Sequence, residues 1–216
     1  MIKKVVGLYY SPAGGTARMT ARLAQEVASR LNEDCPEEIS VECRNIKHAD
    51  VSDLGGETLV IIGVPTYVGK APVSAVRALR KLDGCDATTL TLVSYSGRSY
   101  GNALYEISHY AEQRCFEVIG AGAIAISFRG RRGKNAGEHA IMDTDALLDY
   151  AKVASAKIKR LGGCDIDGLR VKAAPLEVDG RLPIHRISRV VPGAAALAQG
   201  VLDSIPLGRK ESEWFL

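Results

Sequence analysis

The chain has 216 residues, 46% of them apolar, and its 28 Lys and Arg against 25 Asp and Glu leave a formal net charge of +3. That size and composition suit one generous α/β domain with a sizeable core. The near balance of charge, without a basic stretch interleaved with aromatics, argues against a nucleic-acid partner. No run approaches the ~18 to 20 apolar residues of a membrane span, and Met1-Ile2-Lys3-Lys4 leads straight into a strand pattern without a signal-peptide core, so no membrane partner and a cytoplasmic location are expected. Cys35, Cys43, Cys85, Cys115 and Cys164 are scattered and contain no Cys-x-x-Cys pair, which argues against a zinc site, an iron–sulfur cluster or a disulfide framework.

The first predicted element is a strand over residues 3–10, and the small-residue loop Ser11-Pro-Ala-Gly-Gly-Thr16 follows it. Met19, Leu23, Val27 and Leu31, widened by Ala24 and Ala28, then recur at helical spacing, with Arg18, Arg22, Glu26 and Arg30 on the opposite side. A second strand, alternating in character, is predicted over Ile39 to Ile46. A third over Thr58 to Val64 is apolar throughout, as the centre of a parallel sheet requires. Pro72 suits the first turn of a helix carrying Val76, Leu79 and Leu82. A fourth strand over Leu90 to Tyr95 is followed by a helix over Ala103 to Arg114 and a fifth strand over Val118 to Ser127. Asp143 or Thr144 can cap a last long helix that ends at Gly162-Gly163. Strands alternating with helices at this spacing give a doubly wound parallel sheet in the order 2-1-3-4-5 over residues 1–162. Residues 163–216 read as an extension packed on that domain. It would hold a strand over Leu169 to Leu176, a turn at Asp179-Gly180, a short helix over Gly193 to Leu202, and a docked Trp214 and Phe215.

A parallel sheet binds its ligand outside the carboxyl ends of its strands, so three loops must be read together. Ser11 to Thr16 is a strand-to-helix turn in which backbone N–H groups and two hydroxyls can converge on a phosphate. It fits neither Gly-x-x-x-x-Gly-Lys-Ser/Thr nor Gly-x-Gly-x-x-Gly. Pro65-Thr-Tyr-Val-Gly-Lys-Ala-Pro72 and Ser94-Tyr-Ser-Gly-Arg-Ser-Tyr-Gly-Asn102 add hydroxyls and tyrosines, the faces a flat conjugated ring requires. Gly120-Ala-Gly122 continues into an apolar strand and reads as close packing, not as a nucleotide loop. No Ser/His/Asp set or carboxylate pair stands at a recognisable spacing.

These three loops resemble the flavin loops of flavodoxins, and are closest to those in the flavodoxin half of bacterial flavodoxin–ferredoxin fusion proteins. The specific parts are Pro-x-Tyr-x-Gly-Lys-x-Pro and Tyr-x-x-Arg-x-Tyr. The likeness covers residues 1–162, and the ferredoxin half is absent, since residues 164–216 hold only Cys164. The resemblance implies a flavodoxin-like three-layer fold with FMN as cofactor. It sets the phosphate on Ser11, Ala13, Gly14, Gly15 and Thr16. The ring would then lie between Pro65, Thr66, Tyr67, Val68, Gly69 and Lys70 on one side and Ser94, Tyr95, Ser96, Gly97, Arg98 and Tyr100 on the other. Ala13 stands where the family has a threonine, a lost hydroxyl contact that weakens the grip by roughly tenfold.

Lys70 and Arg98 in the ring loops favour a reduced, anionic ring, so a reduction potential less negative than that of acidic flavodoxins is expected. The run Arg129, Arg131, Arg132 and Lys134 reads either as a solvated loop or as a dock for an acidic partner or for NADPH. Glu138 and His139 read chiefly as polar surface. The leading expectation is an FMN-binding redox protein that passes electrons between protein partners, such as a ferredoxin-like protein or a reductase, with a homodimer also open. The alternatives are an NAD(P)H-dependent flavin or quinone reductase, and a non-flavin binding or regulatory module on the same scaffold.

Overall fold

The computed structural model describes residues 2–33, 37–96, 99–128, 140–162, 178 and 212–216. Strand β1 (Lys4–Tyr9) leads to helix α1 (Gly15–Asn32), edge strand β2 (Ser40–Asn45), β3 (Thr58–Pro65), helix α2 (Val73–Leu79), β4 (Ala87–Tyr95), helix α3 (Ala103–Glu112) and β5 (Phe116–Phe128). These five strands are parallel neighbours in the order β2-β1-β3-β4-β5, the flavodoxin-like arrangement expected from the sequence.

Period-two alternation explains the three layers. Val6, Leu8, Val60, Ile62 and Val64 face the side covered by α2 and α3, where they meet Ala75, Leu79, Leu104 and Ile107. Val5, Leu59, Ile61, Leu90 and Leu92 face the other side, against Met19, Leu23 and Val27 of α1 and Leu147, Ala151 and Ala154 of helix α4 (Thr144–Gly162). The predicted stripe of α1 is wholly buried, and on its outer side Arg22 pairs with Glu26 at 2.7 Å.

The boundaries differ in instructive places. β4 begins at Ala87 and β5 at Phe116, each ahead of its apolar run, because Thr88 and Thr89 are buried and continue the ladder through a register shift at Thr89/Leu90. α3 stops at Glu112, two residues early. Pro72 stands just outside α2, in extended conformation, instead of inside its first turn. Asp143 is the cap of α4, its Oδ1 accepting from the Ala146 N–H at 3.1 Å.

Beyond the parallel sheet, β6 (Ala140–Met142) and β7 (Glu213–Phe215) pair antiparallel with the outer edge of β5. The chain's C-terminal residues therefore cover a sheet edge that would otherwise present open hydrogen-bonding groups. Trp214 and Leu216 pack on the α1/α4 side of the core and Phe215 on the α2/α3 side. The Tyr150 ring sits against Gly122, and Leu216 against Gly120, the close packing read from Gly120-Ala-Gly122. The strand, turn and helix expected at 169–176, 179–180 and 193–202 lie outside the described residues. Among the described residues no helix is long and apolar enough to cross a membrane, and no cluster of His, Cys, Asp or Glu could hold a metal ion.

Candidate functional site at the carboxyl ends of the strands

The first loop ends in a helix start with nothing closing it. Gly14 holds the N-cap position of α1 at φ 84°, a left-handed conformation that favours glycine, with no side-chain cap and no acidic residue in the first turn. A Cβ built on Gly14 would meet nothing within 4 Å, so the ground above the helix end is open. The first N–H groups of α1 carry the positive end of its dipole into that opening, the arrangement that favours an anion.

The three loops are tied to one another through Ser94. Its Oγ shares a 2.8 Å hydrogen bond with Thr16 Oγ1, and its carbonyl accepts from the Thr66 N–H at 2.8 Å. The last residues of β4 thereby hold both the phosphate-type loop and the second loop in place. The second loop closes as a two-residue turn: the Tyr67 N–H donates to the Lys70 carbonyl at 2.9 Å, and the Lys70 N–H to the Tyr67 carbonyl at 3.2 Å. Val68 (φ 52°) and Gly69 (φ 71°) are both left-handed, which costs a β-branched valine about 1–3 kcal/mol. A second tie comes from the third loop, where the Asn102 N–H donates to the Gly69 carbonyl at 2.8 Å. Gly101 (φ 55°) lies so near that a Cβ there would sit 2.4 Å from the same oxygen.

Unmet hydrogen-bonding capacity gathers at this rim. Among the described residues, four buried side-chain atoms have no hydrogen-bond partner, and three of them border these loops: Ser11 Oγ, Thr66 Oγ1 and Glu106 Oε1. Glu106, on α3, is almost wholly buried and accepts from the Ala71 N–H at 3.2 Å, just beyond Lys70. Burial pushes its carboxyl up to about 7, against the opposing pull of the Ala71 N–H and the Lys70 charge. Helical spacing alone gave no sign of this glutamate, since a charged residue on a helix ordinarily reads as solvent-facing.

The predicted site residues divide into three groups. Ser11, Ala13, Gly14, Gly15, Thr16, Pro65, Thr66, Val68, Gly69, Lys70 and Ser94 lie in the interlocked loops, with Ala13 exposed and Tyr67 half exposed, its ring available at the surface. Burial and the neighbouring Tyr10 raise the Tyr67 hydroxyl above its ordinary range. Tyr10 is a rim aromatic that the motifs did not single out, and it carries Lys47 5.1 Å from its ring centre. Tyr95 and Tyr100 depart from the expectation of two rings facing a ligand. Both are buried in the core with ring centres 5.6 Å apart, and the Tyr100 hydroxyl donates to the carboxylate of Glu213 on β7. The cause is the C-terminal strand, whose acceptor draws the phenol inward. Ser96 is exposed, while Gly97, Arg98, the run 129–134, Glu138 and His139 lie outside the described residues.

No family model matches the chain. No curated protein matches it either. Among the solved structures it is similar to are the following three. One is the rubredoxin oxygen:oxidoreductase of Desulfovibrio gigas, at 15% identity and TM-score 0.46 over 73% of this chain and 36% of that one. Another is a flavodoxin from the domain Archaea, at 16% identity and TM-score 0.44 over 72% and 99%. The third is a Streptococcus pneumonia flavodoxin, at 17% identity and TM-score 0.40 over 71% and 99%.

Proposed function

We propose that this chain is an FMN-binding redox protein, holding the phosphate at the start of α1 and the ring beside Tyr67. The observation that carries the reading is the convergence of three loops on Ser94, which sets two buried hydroxyls without partners, Ser11 Oγ and Thr66 Oγ1, beside an uncapped helix N-terminus. A doubly negative phosphate supplies the acceptors those hydroxyls and the free N–H groups require. The residues present therefore fit the group. Residues of the first loop would hold the phosphate, while Thr66 to Lys70 and the backbone of the third loop would border the ring.

FMN supplies one- and two-electron transfer when bound. The chain's own part is positioning and electrostatics. The hydrogen bonds from Thr66 and Asn102 fix the second loop, and Lys70 adds a positive charge that favours an anionic form of whatever it borders. On this reading electrons pass between protein partners, and a reduction potential less negative than that of acidic flavodoxins follows from Lys70. The test is a fluorescence titration of FMN with the full chain and with Gly14→Asp. The substitution places a carboxylate at the open helix end, where a Cβ meets no neighbour. A stoichiometric complex weakened about 100-fold by Gly14→Asp is expected. Equal affinity in the two proteins would put the phosphate elsewhere.

A further inference from the structure

Charge and apolar exposure coincide on one face beside the rim. From Thr58 to Leu82 the chain carries Lys70, Arg77, Arg80 and Lys81 and no Asp or Glu. Of the six large hydrophobic side chains exposed among the described residues, three fall in the same stretch: Tyr67 at 50%, Val68 at 57% and Val73 at 67%. Val73 and Arg77 stand four residues apart on α2, with Lys81 four further on in the turn that follows. All three are exposed, so they form one stripe running from the second loop along the helix. Lys47 stands over the ring of Tyr10, which is itself a neighbour of Tyr67. Among the described residues none of Lys47, Lys70, Arg77 and Lys81 forms an ion pair, whereas Lys3, Lys4 and Arg44 at the β1–β2 edge all do.

We propose that this face, an apolar centre of Tyr67, Val68 and Val73 ringed by Lys47, Lys70, Arg77 and Lys81, is the docking surface for a protein partner with an acidic surface. An apolar centre with a charged rim is the anatomy of a transient protein interface. Unpaired cations round it steer and select a partner of opposite sign without being immobilised in the free protein. Three exposed apolar groups beside four dispersed cations favour a protein over a nucleic acid, whose phosphates would call for a denser basic track. The identification of the partner as a redox protein rests on the FMN reading, but the docking itself does not.

The experiment is calorimetric titration of the full chain, with FMN present, by a plant-type two-iron two-sulfur ferredoxin as the acidic probe, at about 0.05 M and about 0.3 M NaCl. Wild type should lose about tenfold in affinity at the higher salt, and Arg77→Glu/Lys81→Glu should lose about tenfold at the lower salt with unchanged FMN affinity. Val73→Ser should weaken docking about threefold and reduce its salt dependence little. Affinity that ignores both salt and charge reversal would overturn the proposal, as would a single-stranded oligonucleotide binding more tightly than the ferredoxin and displacing it. Salt-dependent, charge-sensitive docking in a chain that fails to bind FMN would uphold the surface and reject the flavin reading. FMN binding without ferredoxin binding would do the reverse.

Discussion

The β1–β2 edge and the rim at the strands' carboxyl ends use the same kinds of side chain in opposite ways. At the edge, Lys4 and Arg44 each engage Glu42 and Asp53, and Lys3 pairs with Glu57 at 2.9 Å. The Arg44 and Lys4 side chains bonded to Asp53 hold its carboxyl well below the usual range. At the rim, buried hydroxyls lack partners, a helix end lacks a side-chain cap and a valine holds a left-handed conformation, and among the described residues Lys70 forms no ion pair, its charge reaching the Glu106 carboxyl only from a distance. One region has satisfied its polar groups in folding; the other has kept them, as a surface built for ligands does.

Breaking the rim's own scaffolding should give the largest effect. Gly101→Ala forces a side chain against the Gly69 carbonyl at an already left-handed position, and we expect a loss of about 3 kcal/mol in denaturant unfolding. A cost below ~0.5 kcal/mol would mean that the two loops are free to part.

Next comes the buried carboxyl beneath the second loop. With its folded-state value raised to about 7, Glu106 takes up a proton in the native state that the unfolded chain, near its ordinary 4.5, releases. Its contribution is therefore fully present below pH ~4.5 and lost as the pH rises through ~7, worth on the order of 2–3 kcal/mol. Lys70 and Tyr110 are the titratable neighbours, and Arg80 stands over the Tyr110 ring. Thermal melts of Glu106→Gln should match wild type at pH 5 and exceed it at pH 8. A constant difference across that range would contradict the account.

The smallest effects sharpen the contrast directly. Thr16→Val removes the hydroxyl that joins the first loop to Ser94 and should cost about 1 kcal/mol, because its partner is buried. Lys3→Ala breaks an ion pair whose partners are both 60% exposed and should shift stability little. Similar costs for the two would erase the distinction between rim and edge.

Much of this was legible in the sequence where one periodicity dominates. The α1 stripe, the unbroken apolar β3 and the order of the parallel strands follow from spacing alone. The three loops could be placed at one rim because a parallel sheet puts them there. What the motifs could not show depends on partners distant in the chain. Tyr100 looked like a rim aromatic, yet its hydroxyl answers to Glu213, 113 residues away. Glu106 drew no notice in the sequence, because its burial depends on how α3 meets the second loop. The early starts of β4 and β5 rest on Thr88 and Thr89, which favour strands but are polar, so a search for an apolar run begins after them.

The central claim is that the rim grips a phosphate and borders a planar ring, and parallel titrations with FMN and riboflavin separate those two halves. A stoichiometric FMN complex at least about 100-fold tighter than that of riboflavin is the predicted result. Equal affinity for the two, or binding of neither, would contradict it.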